Sequence, residues 1–101
     1  MTAPLEISIL DEAERDIAEA CEWWEENRPD APNAIRDEID HAFNLISSQP
    51  HVGAPAVTTN LPNVRRLHLG RIRYHLYYRV TSSAVEVLAF WHSSRCSGPP
   101  L

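Results

Sequence analysis

Residues 64–80 read Val-Arg-Arg-Leu-His-Leu-Gly-Arg-Ile-Arg-Tyr-His-Leu-Tyr-Tyr-Arg-Val, VRRLHLGRIRYHLYYRV, and their period fixes the fold class. From residue 71 to 81 the alternation is strict. Ile72, Tyr74, Leu76, Tyr78 and Val80 fall on one side of an extended chain, and Arg71, Arg73, His75, Tyr77 and Arg79 on the other. One face is therefore core and the other a basic, hydrogen-bonding surface. The same rule over residues 64–69 turns Leu67 and Leu69 inward and Arg66 and His68 outward, with Gly70 as the turn.

After a weak Ser82-Ser83 turn signal, VEVLAFWH (residues 85–92) gives a third strand. Unbroken alternation there predicts Val85, Val87, Ala89 and Trp91 toward the core, and Glu86, Leu88, Phe90 and His92 on the opposite face. The remainder, Ser93 to Leu101, holds Gly98-Pro99-Pro100 and is predicted to be an irregular tail.

Upstream, the period changes to that of helices. Ala13, Ile17, Ala20, Cys21 and Trp24 recur at helical spacing over residues 12–27, with Glu12, Asp16, Glu19, Glu22 and Glu26 covering the other side. Asp11 and Glu14 have the spacing of a capping box, and Pro29 stops the helix. Asp30 is placed to cap a second helix over residues 31–48, whose buried stripe is Ile35, Ile39, Ala42, Phe43 and Ile46. So short a connection predicts an antiparallel helical hairpin. Leu5, Ile7 and Ile9 alternate with polar residues as a first strand, whereas SSQPHVGAPAVTTNLPN (residues 47–63) has no period and reads as a long loop. The expectation is a single α+β domain over residues 1–101, ordered β-α-α-β-β-β, with the hairpin packed on one face of a small, mostly antiparallel sheet.

Composition narrows the function. The net charge of -5 over 101 residues conceals an asymmetry: residues 1–50 carry 13 of the 14 acids and three arginines, while residues 51–101 carry Glu86 alone and six arginines. The first half is strongly acidic and the second basic, which suits a binding surface for phosphates or acidic protein. Lysine is absent, so every fixed side-chain cation is a guanidinium suited to bidentate contacts. Neither a membrane span nor a targeting segment is evident, and a cytoplasmic location is expected. Two cysteines, Cys21 and Cys96, stand apart without metal-ligand spacing, and Cys21 reads as a small buried apolar residue. No glycine-rich phosphate loop or nucleophile elbow occurs, so no cofactor or metal is expected.

The order of elements, VRRLHLGRIRYHLYYRV followed by VEVLAFWHSSR (residues 85–95), the Pro50-x-x-Gly53 step, the Arg65-Arg66-Leu67 and Tyr78-Arg79-Val80 triplets and the His92-x-x-Arg95 pair together resemble the RelE/ParE toxin superfamily, above all its ParE, or plasmid-stabilisation, branch. The resemblance implies a toxin neutralised by an antitoxin encoded beside it. ParE-like members are associated with inhibition of DNA gyrase, whereas RelE-like members cut messenger RNA on the ribosome; a non-toxic remnant that still binds antitoxin is a third reading.

Metal-free RNA cleavage needs a base, an acid and cations. His68, His75 and His92 offer proton transfer, and Arg66, Arg73 and Arg79 offer charge. Against that chemistry stand the acidic balance and a tail, residues 93–101, without tyrosine or histidine. The favoured expectation is a binding surface made of Arg66, Arg73, Tyr77, Arg79, His92 and Arg95, with Trp23 and Trp24 as antitoxin anchors.

Overall fold

The central hairpin forms as its period requires. In a computed structural model describing residues 4–56, 59–95 and 98–101, strand β4 (Tyr74–Val80) lies between β3 (Val64–Leu69) and β5 (Ala84–His92), antiparallel to both. Strand β1 (Glu6–Ile9) runs parallel to β5, and a two-residue strand, β2 (Ala54–Pro55), pairs with β3, giving the order β1-β5-β4-β3-β2. Strand β2 falls inside the segment expected to be loop. Its two residues are too few to show a period, and one is proline, which tolerates only such an edge position.

Helices α1 (Asp11–Asn27) and α2 (Ala34–Ser48) cover one face of this sheet. Their buried residues are those the spacing predicts: Ala13, Ala20 and Cys21 from α1, and Ile35, Ile39, Ala42 and Ile46 from α2, against Leu69, Ile72, Leu76, Tyr78, Val85 and Val87. Burial pushes the Cys21 thiol up from its ordinary value, which keeps it protonated and inert; Cys96 lies outside the described residues.

Both expected caps move. Leu10, not Asp11, is the N-cap of α1 and makes no side-chain cap bond, so Asp11 and Glu14 act as first-turn acids that complement the helix dipole. Helix α2 starts after a turn that holds Asp30, with Asn33 at its N-cap. That turn is fastened from α1, because Trp24 Nε1 donates to the Ala31 carbonyl at 2.8 Å.

The expected facing of β5 requires correction in its second half. Tyr77 pairs with Ala89 but Tyr78 with Val87, so Leu88 is an extra residue with no partner on β4. Such a bulge shifts the alternation by one. Val85 and Val87 face the helices as expected, but beyond the bulge Phe90 and His92 turn to the helix side, while Ala89 and Trp91 join Tyr77 on the other face. That second face carries a small core of its own, in which Val64, Tyr77, Leu88 and Ala89 pack with Ala56, Trp91 and Leu101. The tail thus returns over the sheet, tied where the Asn60 amide donates to the Leu101 carbonyl at 2.6 Å.

Candidate interaction site

The turn between β3 and β4 sets the position of two arginines. The amides of Ile72 and Arg73 both donate to the Leu69 carbonyl, at 3.3 and 2.8 Å, and Ile72 is 2% exposed in the core. Arg73 takes φ 62°, a left-handed conformation that a side chain disfavours, and its carbonyl accepts from the Ser93 amide at 2.8 Å. Arg71 and Arg73 therefore belong to a tight turn and not to the alternating strand expected for residues 71–81. They line a cleft of about 390 Å³ with Trp23, Trp24, Arg28 and His92, between the end of α1 and the end of β5.

The cleft combines aromatic surface with positive charge. Trp23 is 47% exposed, with its ring centre 6.5 Å from that of Trp24, and the Arg28 guanidinium lies 5.9 Å from the Trp24 ring. Arg71 is paired with Glu38 at 3.0 Å. His92 reaches this place through the bulge and is held there by an aromatic column. Its ring meets Tyr74 edge-on at 5.0 Å, and Tyr74 stacks on Phe90 at 4.6 Å. Its Nδ1 lies 2.6 Å from Ser94 Oγ and 3.2 Å from the Ser94 amide. An amide can only donate, so in the neutral ring Nδ1 accepts and Nε2 carries the proton.

Next to the cleft, β5 runs on past the end of β1 and would expose backbone groups. Asp16 of α1 covers one of them, its carboxylate accepting from the Phe90 amide at 3.1 Å. Burial pushes the Asp16 carboxyl above its ordinary value, and the Phe90 hydrogen bond works against that rise. Arg95 lies over the Trp91 ring at 4.2 Å on this same edge.

On the second face of the sheet the expected basic surface is only partly free. Arg66 and His68 are exposed. His75, directly opposite His68 with rings 4.8 Å apart, has its pKa lowered by burial first and then by Arg66 and His68, which favours the neutral ring. Arg79 Nε donates to Glu86 at 2.7 Å on the neighbouring strand, and Tyr77 is 5% exposed beneath the tail.

The residues singled out from sequence therefore separate. Arg73 and His92 come together with Trp23 and Trp24, whereas Arg66, Tyr77 and Arg79 lie on the other face and Arg95 at the edge of β5. His68 and His75 share that other face and do not meet His92. Sequence reasoning missed Arg28, although its spacing of four from Trp24 on a helix was a usable signal. It also missed Asp16, 74 residues away from the amide it caps, for which no local signal exists. Among the described residues no three His, Cys, Asp or Glu side chains gather as a metal site would need.

The family model described as ParE toxin of type II toxin-antitoxin system, parDE, matches residues 7–96. No curated protein matches the chain by sequence. Among solved structures, a chain of the chromosomal ParDE toxin-antitoxin system from P. aeruginosa superposes with a TM-score of 0.73 at 16% identity, over 90% of this chain and 98% of that one. The YoeB dimer from Staphylococcus aureus gives 0.60 at 14% identity, over 89% and 98%. The E. coli DinJ-YafQ toxin-antitoxin complex gives 0.62 at 13% identity, over 94% and 99%. At such identities the likeness is one of fold.

Proposed function

The chain belongs to the ParE toxin family of type II toxin-antitoxin systems, and from that premise we propose that it arrests growth by binding DNA gyrase rather than by cutting messenger RNA on the ribosome. The division of its chemistry-bearing side chains carries this reading. Cleavage through the 2'-hydroxyl needs an acid, a base and free cations around one phosphate, but the histidines and arginines that offer those roles lie on two sides of the sheet. On the side holding two histidines, Arg79 is already bound to Glu86 and burial favours the neutral ring of His75, which leaves Arg66 and His68 as the exposed pair there. Binding demands less: exposed aromatic and guanidinium groups held on rigid elements suffice.

The family membership implies a cognate antitoxin, and the P. aeruginosa and E. coli neighbours also come from toxin-antitoxin systems; we place the antitoxin on Trp23 and Trp24 because exposed aromatic side chains serve as interface anchors. Trp23 is the most exposed of the large apolar side chains among the described residues. Inducing the chain without its antitoxin, and assaying purified protein for inhibition of gyrase supercoiling and for RNA cleavage on translating ribosomes, tests the proposal. Lost supercoiling with intact RNA is the expected result. RNA cleavage with supercoiling unaffected would overturn it in favour of the ribonuclease, and normal growth on induction would make the protein a non-toxic antitoxin binder.

A further inference from the structure

The polar side chains that line the cationic cleft are donors alone. They are the guanidiniums of Arg28, Arg71 and Arg73, the Nε2–H of the neutral His92 ring and the indole N–H groups of Trp23 and Trp24, the latter already given to Ala31. The backbone acceptors beside them are taken: the Trp23 carbonyl by Asn27 Nδ2 at 2.8 Å, the Trp24 carbonyl by the Arg28 amide at 2.7 Å and the Arg73 carbonyl by the Ser93 amide at 2.8 Å. Arg71 is paired with Glu38, whereas Arg28 and Arg73 have no ion-pair partner among the described residues. A peptide brings amide donors that such a lining leaves unmatched. A phosphate group brings acceptors only, and planar guanidiniums match its oxygens in pairs.

Beside the cleft, a second hollow of about 200 Å³ shares Trp23 and His92 with it. There donors and acceptors are mixed, with Asp16 and Glu19 next to Arg95, as the hydrogen-bonding edge of a base requires. We propose that the cleft and this hollow together take one purine nucleotide, its phosphate held by Arg28, Arg73 and His92 Nε2–H and its base stacked on the exposed ring of Trp23. Aromatic stacking holds a base through its π-face, and a purine covers more of the indole than a pyrimidine. The 390 Å³ of the cleft lies within the range of about 300–1,000 Å³ common among small-ligand sites. The backbone of Arg73 fits the same role. At φ 62° a glycine would cost less, and what arginine adds there is a guanidinium in the cleft. The site is apart from the face that carries His68 and His75. Because the antitoxin placed above covers the same ring, nucleotide and antitoxin exclude one another, and this consequence alone rests on the toxin-antitoxin reading.

Isothermal titration of the full chain with AMP, GMP and inorganic phosphate tests the site. Saturable binding of a nucleotide is expected, tighter than phosphate alone by about 5-fold to 150-fold, the margin that base stacking supplies. Trp23→Ala should remove that margin and leave phosphate binding unchanged. Arg73→Gly, which relieves backbone strain and so keeps the fold, should weaken nucleotide and phosphate alike by about tenfold or more. Absence of saturable nucleotide binding, or parental affinity in both variants, would overturn the inference. Phosphate bound as tightly as AMP would reduce the site to one for a bare anion and overturn the part given to the base. An adenylate oligonucleotide bound more than about tenfold tighter than AMP would overturn it in favour of a nucleic-acid surface. The antitoxin from the adjacent reading frame is expected to displace bound nucleotide; simultaneous binding of the two would overturn the placement of the antitoxin on Trp23 and leave the nucleotide site standing.

Discussion

Gly53 illustrates how far a single position can be read. Its place in Pro50-x-x-Gly53 was legible as a motif, but the physical reason is spatial and not conformational, because its φ is not positive. A Cβ built there would lie 2.7 Å from Tyr78 Oη and 3.1 Å from the Arg66 carbonyl, and the Gly53 amide donates to that hydroxyl at 2.8 Å. The fully buried Tyr78 thereby anchors the segment leading into β2. Gly53→Ala is expected to cost about 1–3 kcal/mol through forced displacement of a packed ring. Tyr78→Phe should cost a similar amount, about 1–3 kcal/mol, because it orphans a buried amide; urea denaturation of the two variants checks both. Arg73 makes the opposite case. Its left-handed backbone was hidden from sequence reasoning because arginine at that position continues the alternation of β4. Arg73→Gly is expected to raise stability by about 1 kcal/mol in thermal or urea melts by relieving that strain, while weakening nucleotide binding at the cleft.

Elements were legible where a period persisted and illegible where one residue interrupted it. The two helices, β3, β4 and the first half of β5 follow their apolar spacing, so their buried residues could be named from sequence. Beyond the bulge at Leu88 the same spacing names the wrong face, since an unpartnered residue leaves no mark in an apolar run such as Val87-Leu88-Ala89-Phe90. The contact between Asp16 and Phe90 joins α1 to that irregular half and has a measurable pH signature. A carboxyl whose folded-state pKa is raised costs stability when ionised, so its contribution improves as pH falls through the folded pKa toward the ordinary value. Asp16→Asn keeps an acceptor for the Phe90 amide without the partly buried charge. Its stability should equal or exceed the parent's at pH 7, and the advantage should shrink on acidification. Asp16→Ala instead leaves the amide unpaired, at a cost of about 1–3 kcal/mol at either pH. Chemical denaturation of all three proteins at pH 7 and pH 4.5 separates these outcomes; an asparagine variant as unstable as the alanine one would show that the charge itself is required.

The acidic first half and basic second half were visible in the sequence, but not which groups would meet. Folding commits the arginines to separate tasks: Arg65 to the carbonyls of His51 and Gly53, Arg79 to Glu86, Arg95 to the Trp91 ring, and Arg28, Arg71 and Arg73 to the cleft. Basic charge summed over a strand therefore overstates what a target would encounter. This division gives the two modes of action different mutational signatures. His92→Gln removes proton transfer yet keeps a polar side chain of similar reach, so a protein acting by binding should still arrest growth. A ribonuclease that used His92 should instead lose about 100-fold to 10,000-fold in cleavage, as loss of a general acid or base commonly does. Arg73→Glu reverses a charge at an exposed turn and leaves the core untouched, so folding should survive while growth arrest weakens. Growth assays on both variants, with RNA cleavage followed on translating ribosomes, are expected to show His92→Gln still toxic and Arg73→Glu attenuated. A toxic Arg73→Glu beside an inactive His92→Gln that has lost RNA cleavage would reverse the assignment, because only a mechanism in which His92 moves a proton makes the neutral, near-isosteric change the more damaging of the two.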